Sequence, residues 1–137
     1  MLYVLLIVPR RLELSFLSKA APDMLVAEQK DGRGHFVFAG VTQYQDVRFE
    51  PMGADGADWV DEPERLARIE ELGSSREVYA VHYKNVERLK AVLLRVAKST
   101  ALIIDDDYDL FVNGDEFVRR CEAASGRNDW WLGGMHV

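Results

Sequence analysis

The chain has 137 residues, of which 48% are hydrophobic and 29% are charged, and its formal net charge is −6. This composition excludes a disordered chain and is typical of one globular domain, so we expect residues 1–137 to form a single domain. The acidic balance argues against nucleic acid as the main partner, because phosphate binding needs a basic surface. The one cysteine, Cys121, cannot form an internal disulfide, and we expect it to be a small packing residue.

The N-terminal segment from Leu2 to Val8 is apolar on both faces and rich in branched side chains. This pattern predicts a buried central strand, because a strand covered on both faces has no polar alternation. The segment is too short to span a bilayer, and no basic residue precedes it. We therefore expect no membrane anchor, no signal peptide and a cytoplasmic location.

The next elements are a short helix and three strands. Residues 12–19 fit both a helical and an alternating period, and we favour a short helix that ends before Ala21. The runs Met24 to Lys30 and His35 to Val41 are joined by Asp-Gly-Arg-Gly, which predicts a hairpin. Residues 46–50 alternate between apolar and charged, so they predict the third strand of an antiparallel meander.

The segment from Glu50 to Glu71 is strongly acidic and ends in a predicted surface helix. Asp61-Glu62-Pro63 has the acidic residues and the proline that favour a helix start, and Gly73 favours its end. The apolar residues of this helix form one narrow stripe, and its other residues are mostly charged.

A strand and a helix follow. Residues 76–83 alternate, which places Val78, Ala80 and His82 on one face of a strand and Tyr79, Val81 and Tyr83 on the other. Asn85 is a typical cap for the amphipathic helix after it. The whole series predicts an α+β fold with a single mixed or mainly antiparallel sheet and helices packed mostly on one face. A doubly wound parallel sheet is the second choice.

The stretch from Ala101 to Ala124 contains four aspartates within five residues. One interpretation is a hairpin, with a strand at residues 101–104, a turn at 105–108 and a return strand at 109–112. Asp115 would then cap the last helix, and the aspartates would point into solvent. Carboxylates crowded in this way repel one another unless a cation or a basic partner neutralises them.

The same stretch also resembles the calcium loop of an EF-hand. Aligned from Asp105, it has carboxylates at loop positions 1, 3, 5 and 12, and the resemblance implies a calcium site made of Asp105, Asp107, Asp109 and Glu116. Leu110 stands at position 6, where the calcium loop needs glycine for its sharp bend. The residues before the loop also predict a strand instead of the incoming helix.

Sequence motifs for catalysis are absent. No phosphate-binding glycine motif, nucleophile elbow or zinc spacing occurs, so we predict no cofactor and no enzyme activity. His82 would serve as a general base only if the fold brought a carboxylate to it. A half-buried strand histidine with a hydrogen-bond partner is the expected outcome.

The segment IIDDDYDLFVNGDEFV follows an amphipathic helix in an acidic chain without a catalytic motif. In size, acidity and layout the chain resembles small acidic bacterial proteins of the toxin-immunity type, which neutralise a toxin by covering it. The resemblance implies a cytoplasmic, non-enzymatic protein that binds a basic surface of a partner protein. The partner is then neither nucleic acid nor membrane. The expected contact residues are Asp105, Asp106, Asp107, Asp109, Asp58 and Asp61, with the aromatic residues Trp59 and Trp130.

Overall fold

A computed structural model describes residues 2–30, 32–53, 62–106 and 110–123. The strands in these ranges are β1 (Leu2–Val8), β2 (Leu25–Glu28), β3 (Phe36–Ala39), β4 (Val47–Gly53), β5 (Glu77–Tyr83), β6 (Ile103–Asp105) and β7 (Phe111–Asn113). The helices are α1 (Leu14–Ala20), α2 (Pro63–Glu70), α3 (Val86–Ala97) and α4 (Gly114–Ala123), and Gln43–Gln45 forms a 3-10 turn. The strands form one sheet in the order β2-β3-β4-β5-β1-β6-β7, with every neighbouring pair antiparallel. This architecture confirms the predicted α+β class.

The strand β1 lies in the interior of the sheet, where it pairs with β5 on one side and with β6 on the other. Val4, Leu6 and Val8 are buried on one sheet face, and Leu5 and Ile7 are buried on the opposite face. Burial on both faces explains the continuous apolar run, and it confirms the predicted central strand.

The antiparallel meander from β2 to β4 is also confirmed. Gly32 and Gly34, in the connection between β2 and β3, have φ angles of 68° and 83°. Residues other than glycine rarely adopt such angles, so the two glycines permit the tight connection that the sequence predicted. The strand β4 pairs with β3 and then with β5, which joins the meander to the centre of the sheet.

The helices cover the two sheet faces unequally. Three of the four described helices, α1, α3 and α4, pack on the face that carries the larger core, through residues such as Leu17, Leu93 and Phe117. The helix α2 packs through Ile69 on the opposite face, over a smaller core that includes Ile7. This distribution confirms the prediction of helices mostly on one face. None of the described helices is long and apolar enough to cross a bilayer.

The start of α3 agrees with the sequence, whereas the start of α4 does not. Asn85 caps α3 as predicted, since its Oδ1 accepts a hydrogen bond from the Arg88 N–H. For α4, the predicted cap Asp115 is wrong, because Asn113 Oδ1 accepts the Glu116 N–H at 2.8 Å. Gly114 is buried and its N–H donates to the Leu102 carbonyl at 2.9 Å, so the helix begins directly after β7.

Tyr79 ties the β1–α1 connection to the core. Its side chain is buried, and its hydroxyl oxygen accepts the Leu12 N–H at 2.9 Å. Burial raises the pKa of the Tyr79 hydroxyl above its ordinary value of 10.0, although the bond from Leu12 acts in the opposite direction. Folding therefore favours the protonated hydroxyl, and this stabilisation is present below pH 10.0 and is lost as the pH rises through the folded-state pKa.

We expect Tyr79→Phe to lower the free energy of unfolding by about 1–3 kcal/mol at neutral pH, because a buried N–H loses its acceptor. Urea denaturation of both proteins at several pH values measures this difference. The gap between them should narrow as the pH rises above 10.0. A gap that stays constant or widens there would contradict the assignment.

Candidate functional site

The acidic stretch forms the β6–β7 hairpin, as the first interpretation expected. Ile103 pairs with Asn113, and Asp105 pairs with Phe111. Asp106 closes the connection, since its N–H donates to the Leu110 carbonyl at 3.1 Å and its Oδ1 accepts the Leu110 N–H at 3.0 Å. The incoming segment is a strand, so the EF-hand resemblance lacks the helix that precedes a calcium loop.

Asp105 and Asp106 are buried, with relative exposures of 2% and 3%. The expectation that they point into solvent is therefore wrong. The register of β6 places Asp105 on the sheet face that α2 covers, beside Leu5 and Phe111. Because of this burial, neither of the two carboxylates contributes to an exposed acidic surface.

The helix α2 is attached to the hairpin by two arginines. Arg65 and Arg68 lie over the Phe111 ring, with the Cζ atoms 4.7 and 5.0 Å from the ring centroid. Arg68 Nη1 also donates to the Phe111 carbonyl at 3.0 Å, and Arg65 Nη1 lies 4.0 Å from Asp105 Oδ1. These contacts hold α2 against the β6–β7 hairpin.

The outward side of α2 is acidic. Glu64, Glu70 and Glu71 are exposed, and we call these three residues the acidic face of α2. Within the described part of the chain, none of the three forms an ion pair. Positive and negative charges are therefore separated across this helix, with the arginines towards the hairpin and these glutamates towards solvent.

The described members of the predicted calcium set lie on different elements. Asp105 lies under α2, whereas Glu116 lies in the first turn of α4, which packs on the opposite sheet face. The Glu116 carboxylate is paired with Arg119 and Arg120. In the ranges that the structure describes, no three His, Cys, Asp or Glu side chains are grouped so as to hold a metal ion.

Six of the predicted site residues lie outside the described residues. Their contribution to partner or cation binding stays a prediction. They are Asp107, Asp109, Asp58, Asp61, Trp59 and Trp130.

A second group of side chains, on β4, on β5 and directly before β3, was not predicted as a site. His82 Nε2 lies 3.0 Å from Glu50 Oε1, and His35 Nε2 lies 3.9 Å from Glu50 Oε2. A general base at His82 needs a carboxylate beside it, and Glu50 meets that condition. The alternation of β4 places Glu50 opposite the buried Val47 and Phe49, a signal that could have indicated its face.

The surroundings of these histidines form a small cavity of about 290 Å³. Its lining includes Gln29 and Arg48 besides the histidines and Glu50. The Tyr3 ring lies against His82, with the ring centroids 5.8 Å apart. We call His35, Glu50 and His82 with Arg48 and Tyr3 the His–Glu site.

Cys121 in α4 is half-buried and packs against the larger core. Burial raises the pKa of its thiol above the ordinary value of 9.0. A thiol with a raised pKa is a poor nucleophile at neutral pH, which agrees with the predicted packing role.

At a coarse level, the chain is an α+β protein with one antiparallel sheet and with an acidic helix on the less covered face of that sheet. The chain matches no protein-family profile, no curated protein and no solved structure.

Proposed function

We propose that this chain is a small cytoplasmic protein-binding module of the immunity or regulatory type, and that the acidic face of α2 contacts a basic surface of its partner. The observation that carries the proposal is the separation of charge across α2. The arginines are used in holding the helix on Phe111, and three glutamates are left towards solvent.

The position of the glutamates within the helix supports a role in binding. Glu70 and Glu71 lie at the carboxyl end of α2, where the helix dipole disfavours negative charge. Their charges therefore do not stabilise the helix on which they lie. An acidic surface of this kind accelerates association with a basic partner and selects against acidic ones.

The net charge of −6 fits the same partner chemistry. Electrostatic steering acts over roughly a Debye length, about 10 Å at 0.1 M salt, so binding should weaken as salt is added. An immunity-type inhibitor would use this surface to cover the basic active region of a toxin.

We expect the triple charge reversal Glu64→Lys, Glu70→Lys and Glu71→Lys to weaken partner binding at least tenfold without destabilising the fold. The partner is first isolated by affinity capture at low salt, identified, and purified. Its affinity for the wild type and for the variant is then measured by calorimetry at several salt concentrations.

A matched control reverses Glu13, Glu28 and Glu122, which are also exposed, and so makes the same change in net charge elsewhere. This control should keep most of the affinity. The proposal fails if capture yields no stoichiometric basic protein, or if both triple variants bind the partner equally well.

A further inference from the structure

The sheet face that α2 partly covers continues across β5 and β4 to β3, and this part carries the His–Glu site. The side chains of His35, Glu50 and His82 have relative exposures of 26%, 46% and 27%. They are held by the rigid sheet and are still open to a small molecule. Polar groups fixed in this way are suited to proton transfer, which needs accurate placement of the acid and the base.

Glu50 lies between the two imidazoles, with one carboxylate oxygen towards each. A carboxylate accepts a proton, and a protonated imidazole donates one, so one cavity holds a base and two possible acids. None of these three groups is needed to fill the larger or the smaller core.

Arg48 and Tyr3 complete the site from the two strands next to β5. Both are the direct cross-strand neighbours of His82, Arg48 on β4 and Tyr3 on β1. Arg48 is exposed and forms no ion pair within the described residues, so its charge is available to an anion. Tyr3 is 49% exposed and offers an aromatic surface on which a nucleobase can stack.

The described lining of the cavity includes no serine, threonine, cysteine or lysine. If Glu50 acts as the base and a histidine as the acid, the attacking group comes from the substrate itself or from water. The site offers a proton acceptor, a proton donor, a cation that can bind a phosphate and an aromatic surface on which a nucleobase can stack. These groups match the phosphodiester of a ribonucleotide, whose 2′-hydroxyl is an internal nucleophile.

We propose that the His–Glu site cleaves short ribonucleotide phosphodiesters by transesterification. The Glu50 carboxylate takes the proton of the ribose 2′-hydroxyl, and the 2′ oxygen attacks the adjacent phosphorus. The new P–O2′ bond forms as the P–O5′ bond breaks, and a protonated imidazole of His35 or His82 gives its proton to the departing 5′ oxygen. The products are a 2′,3′-cyclic phosphate and a 5′-hydroxyl, and Arg48 stabilises the charge that develops on the phosphate oxygens.

The acidic composition is compatible with this substrate because one phosphodiester needs only local positive charge, not the extended basic surface that long nucleic acids require. The acidic composition predicts that short ribonucleotides bind weakly and that their binding weakens further as salt is added. Short oligonucleotides at low ionic strength are therefore the appropriate probe.

The test incubates the full chain with a short mixed-sequence RNA and follows cleavage by mass spectrometry. We expect products that end in a 2′,3′-cyclic phosphate. An oligonucleotide with 2′-deoxyribose throughout should stay intact. Glu50→Gln should lower kcat/KM by about 100-fold or more, in the range of a lost acid–base group. Tyr3→Leu should raise KM with little change in kcat.

Glu28→Gln, an exposed glutamate elsewhere on the sheet, is the matched control and should cleave at the wild-type rate. The triple reversal on the acidic face of α2 should also retain cleavage, so that failure of this proposal and failure of the protein-binding proposal are distinguishable. Intact RNA after incubation with the folded wild type would overturn the proposal. Equal cleavage by Glu50→Gln and the wild type would also overturn it, because the activity would then come from a contaminant.

Discussion

Replacing Phe111 by alanine is expected to lower the free energy of unfolding by about 3–5 kcal/mol, the range for a buried phenylalanine. Phe111 is buried in the smaller core, and its ring lies under the guanidinium groups of Arg65 and Arg68. The substitution removes the apolar contacts and the surface on which both arginines rest. Chemical denaturation of the two proteins under the same conditions measures the loss.

Phe111→Leu is the matched control, because leucine keeps most of the apolar contact and removes only the aromatic ring. It should cost clearly less than alanine. The loss expected for alanine is a large part of the roughly 5–15 kcal/mol that stabilises a typical domain. A loss below about 1 kcal/mol would contradict the packing of α2 on the hairpin.

The alanine variant also connects stability to the proposed function. Since α2 is held on the hairpin through Phe111, loss of this ring should release the acidic face of α2 from its fixed position. Partner binding should then weaken although every glutamate of that face is still present. Charge reversal and loss of packing would thus give the same functional result by two different routes.

Replacing Leu110 by glycine is the second substitution with a large expected effect. Its outcome distinguishes the hairpin interpretation of this stretch from the calcium-loop interpretation. Leu110 is buried in the larger core, on the face opposite to that of Phe111. We expect a loss of about 3 kcal/mol or more, from the cavity that the leucine side chain leaves and from the conformational freedom of glycine.

In an EF-hand the same substitution would supply the glycine that the loop needs at this position. If the stretch binds calcium through such a loop, Leu110→Gly should raise the calcium affinity measured by calorimetry. We expect no gain, because Leu110 is a core residue whose backbone closes the hairpin with Asp106. Val41→Ala, at a residue that is 93% exposed, should change stability by less than about 0.5 kcal/mol.

Most secondary structure could be predicted because its signals are local. The two-sided apolar run of β1, the glycines of the β2–β3 connection and the Asn85 cap each act within a few residues. The α+β class followed from the order of these elements. The predicted cap of α4 was wrong because Asn113 caps this helix and the Gly114 N–H is bonded to the Leu102 carbonyl, a tertiary contact that no local pattern predicts.

The positions of Asp105 and of the His–Glu site depend on contacts between distant residues, which local sequence patterns do not predict. Asp105 belongs to a dense acidic run, which is usually exposed, but it is buried because α2 lies over β6. His82 and Glu50 are 32 residues apart, and only the pairing of β4 with β5 places them within hydrogen-bond distance. No period or motif in the sequence predicts that these two side chains lie close together.

The sequence by itself determined most of the helices and strands, the central position of β1 and the acidity of the chain, since periodicity, caps and charge are properties of neighbouring residues. The tertiary structure alone decided which carboxylates are buried, which glutamates remain on the surface of α2 and which histidines share a carboxylate. Burial and cross-strand neighbours depend on strand register and on helix packing, which are set by contacts between residues far apart in the chain.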